Sequence, residues 1–359
     1  MLLGVIYASW AARIPALRDA LALSPAQLGL VLLGGGFGAA ASFPLAAGAI
    51  AHFGARRAAW YAGLGLITML PCVALAPDMA WLVTAASGLG AASGCFDVAI
   101  NALGAAEEKA AGRSTMSLLH AWFCLGAMLG ALLGSAMGAL AVTPLAHYGA
   151  VSLLLSAPLY WAYRSISPDQ PTRDTRKQYF AIAHGPVVAL GLIGFCGAVA
   201  EGSIADWSGV FMKDQLGVTD GVAPLAYAAF ACLMLGARIG CDRLKDRYGA
   251  RGVVATGAAA AACGLCVAAL ALNVPLTIAG FACAGAGLAA VFPFVFSAAG
   301  RHGAASLAAV ATFSYSGGLL GPPVIGFLAQ GWGMRAALGS IAFIAVAIAA
   351  AASRARWLE

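Results

Sequence analysis

The sequence predicts an all-α membrane protein of twelve transmembrane helices, arranged as two six-helix pseudo-repeats. Three observations support this class. Hydrophobic residues make up 62% of the 359 positions and charged residues only 9%, whereas a soluble domain carries roughly 25% charge. Long apolar runs recur along the whole chain, and short motifs of the first half return in the second half at a nearly constant distance. A water-soluble globule has no interior large enough for this much apolar surface, so lipid must face much of it.

The apolar runs give the number of spans. A helix needs about 20 apolar residues to cross the hydrocarbon core of a bilayer. Runs of this kind between charged residues or Pro and Gly breaks cover approximately residues 1–17, 25–50, 57–77, 79–105, 116–141, 145–164, 186–212, 221–241, 251–272, 274–299, 306–330 and 334–353. These ranges predict twelve spans.

The basic residues give the orientation. With the N-terminus inside, sixteen of the 20 Lys and Arg residues fall on the cytoplasmic side. The four on the other side are Arg13, Arg18, Lys213 and Arg335. This positive-inside bias supports an even number of spans, with both termini in the cytoplasm. We expect the protein in the cell inner membrane.

Composition also narrows the partners. The net charge of +6 does not indicate a nucleic-acid partner, because the basic residues lie in short loops between apolar runs. Cys263 and Cys266 form a CxxC pair in an Ala-rich span, with no nearby His or second pair to complete a metal site. We therefore expect no metal, no cofactor and no nucleic acid. The expected partners are the lipid bilayer, a small-molecule substrate and protons, and we expect a monomer.

Internal repeats predict two halves. Ala-Ser-Trp at 8–10 matches Ala-Asp-Trp at 205–207, which lies 197 positions later, and Gly-Ala-Arg at 54–56 returns at 249–251 after 195 positions. Glycines also recur at similar places in the fifth and eleventh spans: Gly126, Gly130 and Gly134, then Gly317, Gly321 and Gly326. We expect six-helix bundles at 1–164 and 184–359, joined by a polar cytoplasmic linker at 165–183. The four-residue glycine spacing favours close helix packing.

The same repeat predicts a shortened first helix. Trp10 matches Trp207, so Pro186, at the start of the seventh span, corresponds to a position before Met1. Only twelve residues precede Arg13, whereas a span needs roughly 17–25. Two explanations stay open. The chain begins inside its first span because of a late start codon or a truncation, or that span is tilted or thinned with Arg13 snorkelling or reaching into a cavity.

Two loops carry a family resemblance. The loops HFGARR (52–57) and DRLKDRYGAR (242–251) resemble the signature Gly-x-x-x-Asp-Arg-x-Gly-x-Arg-Arg of the major facilitator superfamily. The second loop keeps Asp246, Arg247, Gly249 and Arg251, with Asp242 at the leading Gly position. The first has Ala51 and His52 at the Asp and Arg positions. The runs ASWAARIPALRDALALSPAQLG, FDVAINA and SLLHAWFCLGAMLGALLG resemble a bacterial branch related to fucose–proton symporters. The resemblance implies the major facilitator fold and secondary transport.

These loops are candidate gating elements. An Asp at a helix end that pairs with an Arg of a neighbouring helix forms a latch that can open and close. The alternative is that the basic side chains only anchor helix ends to anionic lipid. Both readings stay open, with the latch favoured in the second loop. The residues concerned are Arg56, Arg57, Asp242, Asp246, Arg247 and Arg251.

Polar residues inside the predicted spans of the first half are candidate coupling residues, because an ionisable group near mid-bilayer normally lines a cavity or pairs. Asp97 lies ten residues before Glu107, and His120 lies seven residues after Arg113. At about 1.5 Å per residue, both lie roughly 10–15 Å inside the cytoplasmic boundary. We expect them to face each other, with Asn101 one turn from Asp97, either as a protonation site or as a structural pair.

Two acids stand out in the second half. Glu201 lies fifteen residues past Pro186, near the membrane midplane, with no evident cation at that depth in its own half. An uncompensated carboxyl there favours its protonated form and suits a proton carrier, or it bonds a backbone carbonyl as a structural group. Asp206 is expected to pair with Lys213 or Arg13 near the outer mouth, as a gate or as a structural pair.

Aromatic residues near these charges suit a sugar ring or another polar organic solute, since each offers a flat apolar face and often a donor. Trp122 and Tyr315 are the candidate cavity residues. For Trp10 and Trp207, the interfacial aromatic belt is a strong alternative.

The function that follows is proton-coupled secondary transport of a small polar organic solute. Efflux by antiport is the alternative mode of transport. Drug antiporters of the family share an Arg in the fourth span and a Gly-Pro pair in the fifth. Here Thr84 stands at the position of the Arg, and the fifth span has no Pro. In fucose-type symporters an Asp precedes the Pro of the first span by four residues, and here Ala11 stands four residues before Pro15, so fucose itself is not implied. A receptor or sensor is the second class. An enzyme is not expected, because no Ser or Cys is placed beside His120.

Overall fold

The computed structural model describes residues 1–111, 116–167 and 186–358. Within these ranges the chain forms twelve α-helices and one short 3-10 helix, with no strand. The helices are α1 Leu2–Ala20, α2 Pro25–Phe53, α3 Ala55–Ala74, α4 Met79–Ala111, α5 Met116–Ala139, α6 Pro144–Ser165, α7 Pro186–Leu216, α8 Leu225–Leu270, α9 Val274–Leu288, α10 Val291–Arg301, α11 Ala304–Trp332 and α12 Met334–Arg354. The 3-10 helix Arg356–Leu358 follows α12.

Each predicted span is occupied by helix, but the helices are divided differently in the second half. The eighth and ninth predicted spans both lie in α8, which has a single non-helical residue, Gly249, with φ 73° and ψ 152°. The tenth span is divided instead, into α9 and α10. Among the described residues, eight helical segments are long and apolar enough to cross a membrane by length and composition. The all-helical fold agrees with the predicted class.

Helix boundaries follow from local chemistry. The hydroxyl of Ser24 accepts from the Gln27 amide at 3.3 Å at the start of α2. Thr143 and Asn273 accept in the same way at the starts of α6 and α9, so each satisfies an amide that has no partner within its helix. Gly54 instead forms the corner between α2 and α3 at φ 84°, a conformation that side chains with a Cβ rarely adopt.

The chain divides into two compact units, Met1–Lys177 and Gln178–Glu359. In the first unit α1 packs along α5, α2 along α4, and α3 against α4 and α6. In the second unit α7 packs along α11, and α8 packs along α9 and α12. Most of the predicted linker at 165–183 lies outside the described residues.

Glycines lie in the contact between α1 and α5 of the first unit and in the contact between α7 and α11 of the second. We call these two contacts the glycine seams. A Cβ placed on Gly130 of α5 would lie 2.6 Å from the carbonyl oxygen of Val5 on α1. A Cβ on Gly321 of α11 would lie 2.9 Å from the Cα of Val199 on α7. The predicted packing role of these glycines is confirmed, and equivalent glycines allow the same close approach in both units.

The first helix is shorter than its counterpart, as the repeat predicts. Helix α1 has 19 residues and α7 has 31. Trp10 lies ten residues before the end of α1 at Ala20, and Trp207 lies nine before the end of α7 at Leu216. Arg13, however, does not mark the end of the helix. It lies inside α1 and is buried, with 2% of its surface exposed.

Candidate functional site

Glu201 on α7 is paired with an arginine. An oxygen of its carboxylate, Oε1, lies 3.7 Å from Nη2 of Arg238 on α8, with 21% and 12% of the two side chains exposed. Oε1 has no hydrogen-bond partner among the described residues. The expectation that Glu201 has no cation at its depth is therefore wrong. Counting basic residues by side placed Arg238 in the cytoplasm, but α8 stays helical for ten residues beyond it before reaching the corner at Gly249.

Arg238 also reaches a third element of the second unit. Its Nε donates to the carbonyl oxygen of Ala289 at 3.4 Å, and Ala289 lies in the break between α9 and α10. One guanidinium thus faces a carboxylate on α7 and a backbone carbonyl of the divided helix.

Asp206 lies five residues after Glu201 and is almost fully buried. Its pairing with Lys213 or Arg13 stays a prediction, and each of these two basic residues also has a further contact. Nζ of Lys213 lies 2.7 Å from Oδ1 of Asp220, and Arg13 bonds within the first unit. Two neighbouring hydroxyls on α7, those of Ser203 and Ser208, are buried without a hydrogen bond in the described part of the chain. Helix α7 therefore carries several buried or half-buried polar groups within an otherwise apolar segment.

Trp10 and Trp207 are both core residues. They are 7% and 2% exposed, so the interfacial-belt interpretation is wrong for both. The indole Nε1 of Trp207 donates to the carbonyl oxygen of Pro322 on α11 at 2.9 Å. The carbonyl oxygen of Trp10 accepts from the hydroxyl of Tyr148 at 3.3 Å. By contrast Tyr315, also on α11, and Trp122 on α5 are nearly half exposed.

In the first unit, the candidate coupling residues lie on α4 and α5. Asp97 and Asn101 are half-buried one turn apart on α4, and the amide Nδ2 of Asn101 donates to the backbone carbonyl of Asp97 at 2.9 Å. His120 lies exposed near the start of α5. Asp97 and His120 each have further interactions. Their pairing with each other stays a prediction.

Sequence reasoning missed a buried cluster around Arg13. Nε of Arg13 donates to Nδ1 of His147 on α6 at 3.3 Å, and its Nη2 donates to the carbonyl of Val142. Because Nδ1 accepts, the proton of the neutral imidazole lies on Nε2, which is buried without a partner in the described residues. The partners are 134 positions apart, and nothing in the sequence pairs them.

The two loops that resemble the family signature differ in how they are held. Nε of Arg56 donates to the carbonyl of Tyr163 at the end of α6, at 2.8 Å, and its guanidinium lies 4.2 Å from the centre of the Tyr163 ring. Arg57 beside it is exposed. The first loop therefore joins α3 to α6 through one arginine.

In the second loop the described charged side chains make fewer contacts with other helices than Arg56 does. Asp246 and Arg247 are exposed, and Arg251 is half-buried. Within the described residues Asp246 makes no ion pair, and the side chain of Asp242 is outside them. Nζ of Lys245 lies 5.4 Å from the ring centre of Phe294 on α10. The predicted latch at Asp246 stays a prediction.

The chemistry available at Glu201 is proton exchange. A carboxylate held by one arginine, with an oxygen that lacks a hydrogen bond, can take up a proton and leave the arginine as the remaining charge. No group of three or more His, Cys, Asp or Glu side chains suited to a metal occurs in the part of the chain that is described.

Comparisons with known proteins agree with this architecture. The sequence profile of the Major Facilitator Superfamily matches residues 1–318. An uncharacterized MFS-type transporter of Yersinia pestis is 32% identical, covering 97% of this chain and 92% of the relative. The membrane protein MosC of Rhizobium meliloti is 31% identical, over 97% of this chain and 86% of its own.

Solved structures share the fold. The nucleoside transporter NupG, in the structure of a point mutant, superposes with a TM-score of 0.79 at 12% identity, covering 99% of this chain and 98% of that one. A bacterial homologue of the human lysosomal transporter Spinster, in an inward-facing and occupied conformation, gives 0.73 at 15% identity over 99% and 94% of the two chains.

Proposed function

Since the chain belongs to the major facilitator superfamily, we propose that it is a proton-coupled secondary transporter that moves a small polar organic solute by alternating access. The family and the relatives make it a multi-pass membrane transporter and not an enzyme. The identity of the coupling ion, the class of solute and the relative direction in which protons and solute move are our proposals. The protein is also proposed to lie in the inner membrane as a monomer with both termini in the cytoplasm, which the distribution of basic residues supports.

The contact between Glu201 and Arg238 carries the proposal. It is a partly buried ion pair between α7 and α8 of the second unit, at a separation of 3.7 Å. A charged group inside the membrane is costly, so it is normally kept for a role in transport. A carboxylate is the one member of this pair that can exchange a proton, since arginine stays protonated in proteins.

Coupling follows if protonation of Glu201 and binding of the solute favour the same conformation. Each ligand shifts an equilibrium between two conformations only by its difference in affinity for them. Asp97, Asn101, His120, Trp122, Asp206 and Tyr315 are proposed as the further residues that bind the solute or the proton. The charged residues Arg56, Arg57, Asp242, Asp246, Arg247 and Arg251 are proposed to control the exchange between conformations.

The first test is a binding screen. The purified protein is heated with L-fucose, D-glucose, uridine or succinate, and its melting temperature is recorded, because a ligand of the native state raises it. Uridine is included because NupG is a nucleoside transporter, and L-fucose because of the resemblance to fucose–proton symporters. A solute that raises the melting temperature is then used for flux.

The second test separates the alternatives. The protein is reconstituted into liposomes loaded with the pH indicator pyranine, and the binding solute is added outside. Acidification of the lumen together with solute uptake supports symport, whereas alkalinisation supports antiport. A solute that binds but moves neither itself nor protons contradicts transport and identifies a receptor. Glu201→Gln is expected to abolish the proton movement.

A further inference from the structure

The break between α9 and α10 contains a carbonyl group that has lost its helical donor. In a continuous helix the carbonyl of Ala289 would accept from the backbone N–H of residue 293. That residue is Pro293, which has no N–H. A carbonyl left without a partner in an apolar interior is costly. The sequence thus creates an acceptor at the middle of the tenth span.

Arg238 supplies the missing donor. Its Nε lies 3.4 Å from the Ala289 oxygen, while its Nη2 lies 3.7 Å from Oε1 of Glu201. Both separations are longer than the roughly 2.7–3.2 Å of a well-formed hydrogen bond. One guanidinium is therefore shared between a carboxylate and a carbonyl, and a shift toward either acceptor strengthens one contact at the expense of the other.

The charge of Glu201 decides which acceptor is stronger. A guanidinium bonds an ionised carboxylate more strongly than a neutral carbonyl. When the carboxylate is protonated, it loses that advantage, and the Ala289 oxygen becomes the better acceptor. Resting on the function proposed above, we propose that Arg238 is a positioning residue that transmits the charge of Glu201 to the proline break, so that protonation fastens α10 to α8 and ionisation releases it.

Two other arginines of the second unit have backbone partners elsewhere. Among the described residues of the second unit, Arg238 is the charged partner of Glu201. Arg335 bonds the carbonyls of Ala269 and Ala271, and Arg301 bonds those of Trp357 and Leu358. Besides Glu201, the charged or titratable residues on α7 and on the helices packed against it are Cys196, Asp206, Lys213, Asp214, Tyr227, Cys232, Arg238, Cys241, Asp242, Arg243, Lys245, Asp246, Arg247, Tyr248, Arg251, Cys263, Cys266, Cys283, Arg301, Tyr315, Arg335 and Arg354, of which the side chain of Asp242 lies outside the described part of the chain.

The start of α10 also lies against α7, next to the acid. A Cβ on Gly197, one turn before Glu201, would lie 2.8 Å from a methyl carbon of Val291 and 3.8 Å from the ring of Phe292. Val291 and Phe292 are the first residues of α10. A change in how firmly Ala289 is held is therefore transmitted directly to the contact between α7 and α10.

The test uses Glu201→Gln as the uncharged form at one fixed pH, combined with Pro293→Ala, which restores an N–H for the Ala289 carbonyl. Hydrogen exchange of the α10 amides is followed by mass spectrometry in lipid nanodiscs, without any added solute. With Pro293 present, Glu201→Gln should slow exchange about fivefold, the effect of one additional hydrogen bond. In the Pro293→Ala background, exchange should be slow whether residue 201 is left as Glu or changed to Gln.

Two further variants complete the design. Arg238→Met in the Glu201→Gln background removes the arginine without leaving an ionised carboxylate at position 201, and it should return α10 to fast exchange. Arg335→Lys alters another arginine that bonds carbonyls of α8, and it should leave α10 unchanged. The inference is overturned if Glu201→Gln has no effect on α10, or has the same effect with and without the Pro293→Ala change.

The proton assay separates this inference from the proposed function. If Glu201→Gln abolishes pyranine-detected proton movement but leaves α10 exchange unchanged, coupling stands and the role of Arg238 fails. If α10 responds but proton movement persists, Arg238 acts as described while Glu201 is not the coupling residue.

Discussion

Helices α1 and α5 of the first unit pack through glycines in the same way as α7 and α11 of the second, yet the two pairs carry opposite charges. Helix α1 contains a buried cation, Arg13, which bonds His147 and a backbone carbonyl of its own unit. The apolar segment of helix α7 contains two acids, Glu201 and Asp206. The glycine seam is common architecture, so the polar groups that differ between the units are where a specific function is expected.

The largest effect should come from the acids. Glu201→Gln and Asp97→Asn are each expected to abolish pH-driven uptake in proteoliposomes, because neither amide can carry a proton at the coupling pH. Glu107→Gln, which changes an exposed acid on the same helix as Asp97, is the matched control and should transport normally. Full concentrative uptake by both variants would contradict a coupling role in either unit.

The glycine seams should respond alike in the two units. Gly130→Ala and Gly321→Ala both force a methyl group into atoms of the neighbouring helix, which typically costs about 1–3 kcal/mol. Each variant should lower the melting temperature of the purified protein. Gly318→Ala is the control on α11, because a Cβ there meets nothing within 4 Å. If only one of the two variants lowers the melting temperature, the glycine seams of the two units are not equivalent in packing.

The signature loops should differ in what they control. Asp246 is exposed in the second loop, so Asp246→Asn is expected to leave the melting temperature unchanged. If Asp246 takes part in a latch that forms in another conformation, the same change slows transport severalfold with little change in solute affinity. Initial uptake rates measured over a range of solute concentrations separate the two quantities. An unchanged rate would leave only a role in anchoring.

The smallest effect is expected at the first loop. Arg56→Lys loses the contact with the Tyr163 ring and weakens the bond to its carbonyl, and we expect a loss of about 0.5–1.5 kcal/mol. Arg57→Lys, at the exposed neighbour, should be neutral. Thermal unfolding of both variants makes the comparison. Equal stability of the two would mean that the contact with α6 contributes nothing measurable.

The sequence was sufficient for the architecture because membrane folds are strongly constrained. Apolar runs must be helical where no water is available to the backbone, and glycines spaced by four mark a helix contact, as Gly126, Gly130 and Gly134 show. The shorter first helix also followed from the spacing of Trp10 and Trp207. These features are local or periodic, so they are visible without coordinates.

The partners of the buried charges were not predictable in the same way. Arg238 was assigned to the cytoplasmic side because it precedes a basic loop, but helix continues past it, and it turns inward to Glu201. Arg13 was expected on the outer side, or snorkelling or reaching into a cavity, yet it bonds a histidine 134 positions away. Such contacts depend on helix rotation and on distant segments, which periodicity does not fix. Trp10 and Trp207 are buried whereas Trp122 is exposed, and the sequence around the three tryptophans does not show this difference.

The corner at Gly249 has a consequence for digestion by proteases. Leu225–Leu270 is helical on both sides of this one residue, so the basic residues near the corner, Arg243, Lys245, Arg247 and Arg251, are not in an extended segment. Proteases bind their substrates as extended chain, and trypsin should therefore spare these bonds while the protein is folded, although the side chains of Arg243 and Arg247 are exposed. Cleavage here would report unfolding of the corner, which makes the segment an internal indicator of whether a preparation is intact.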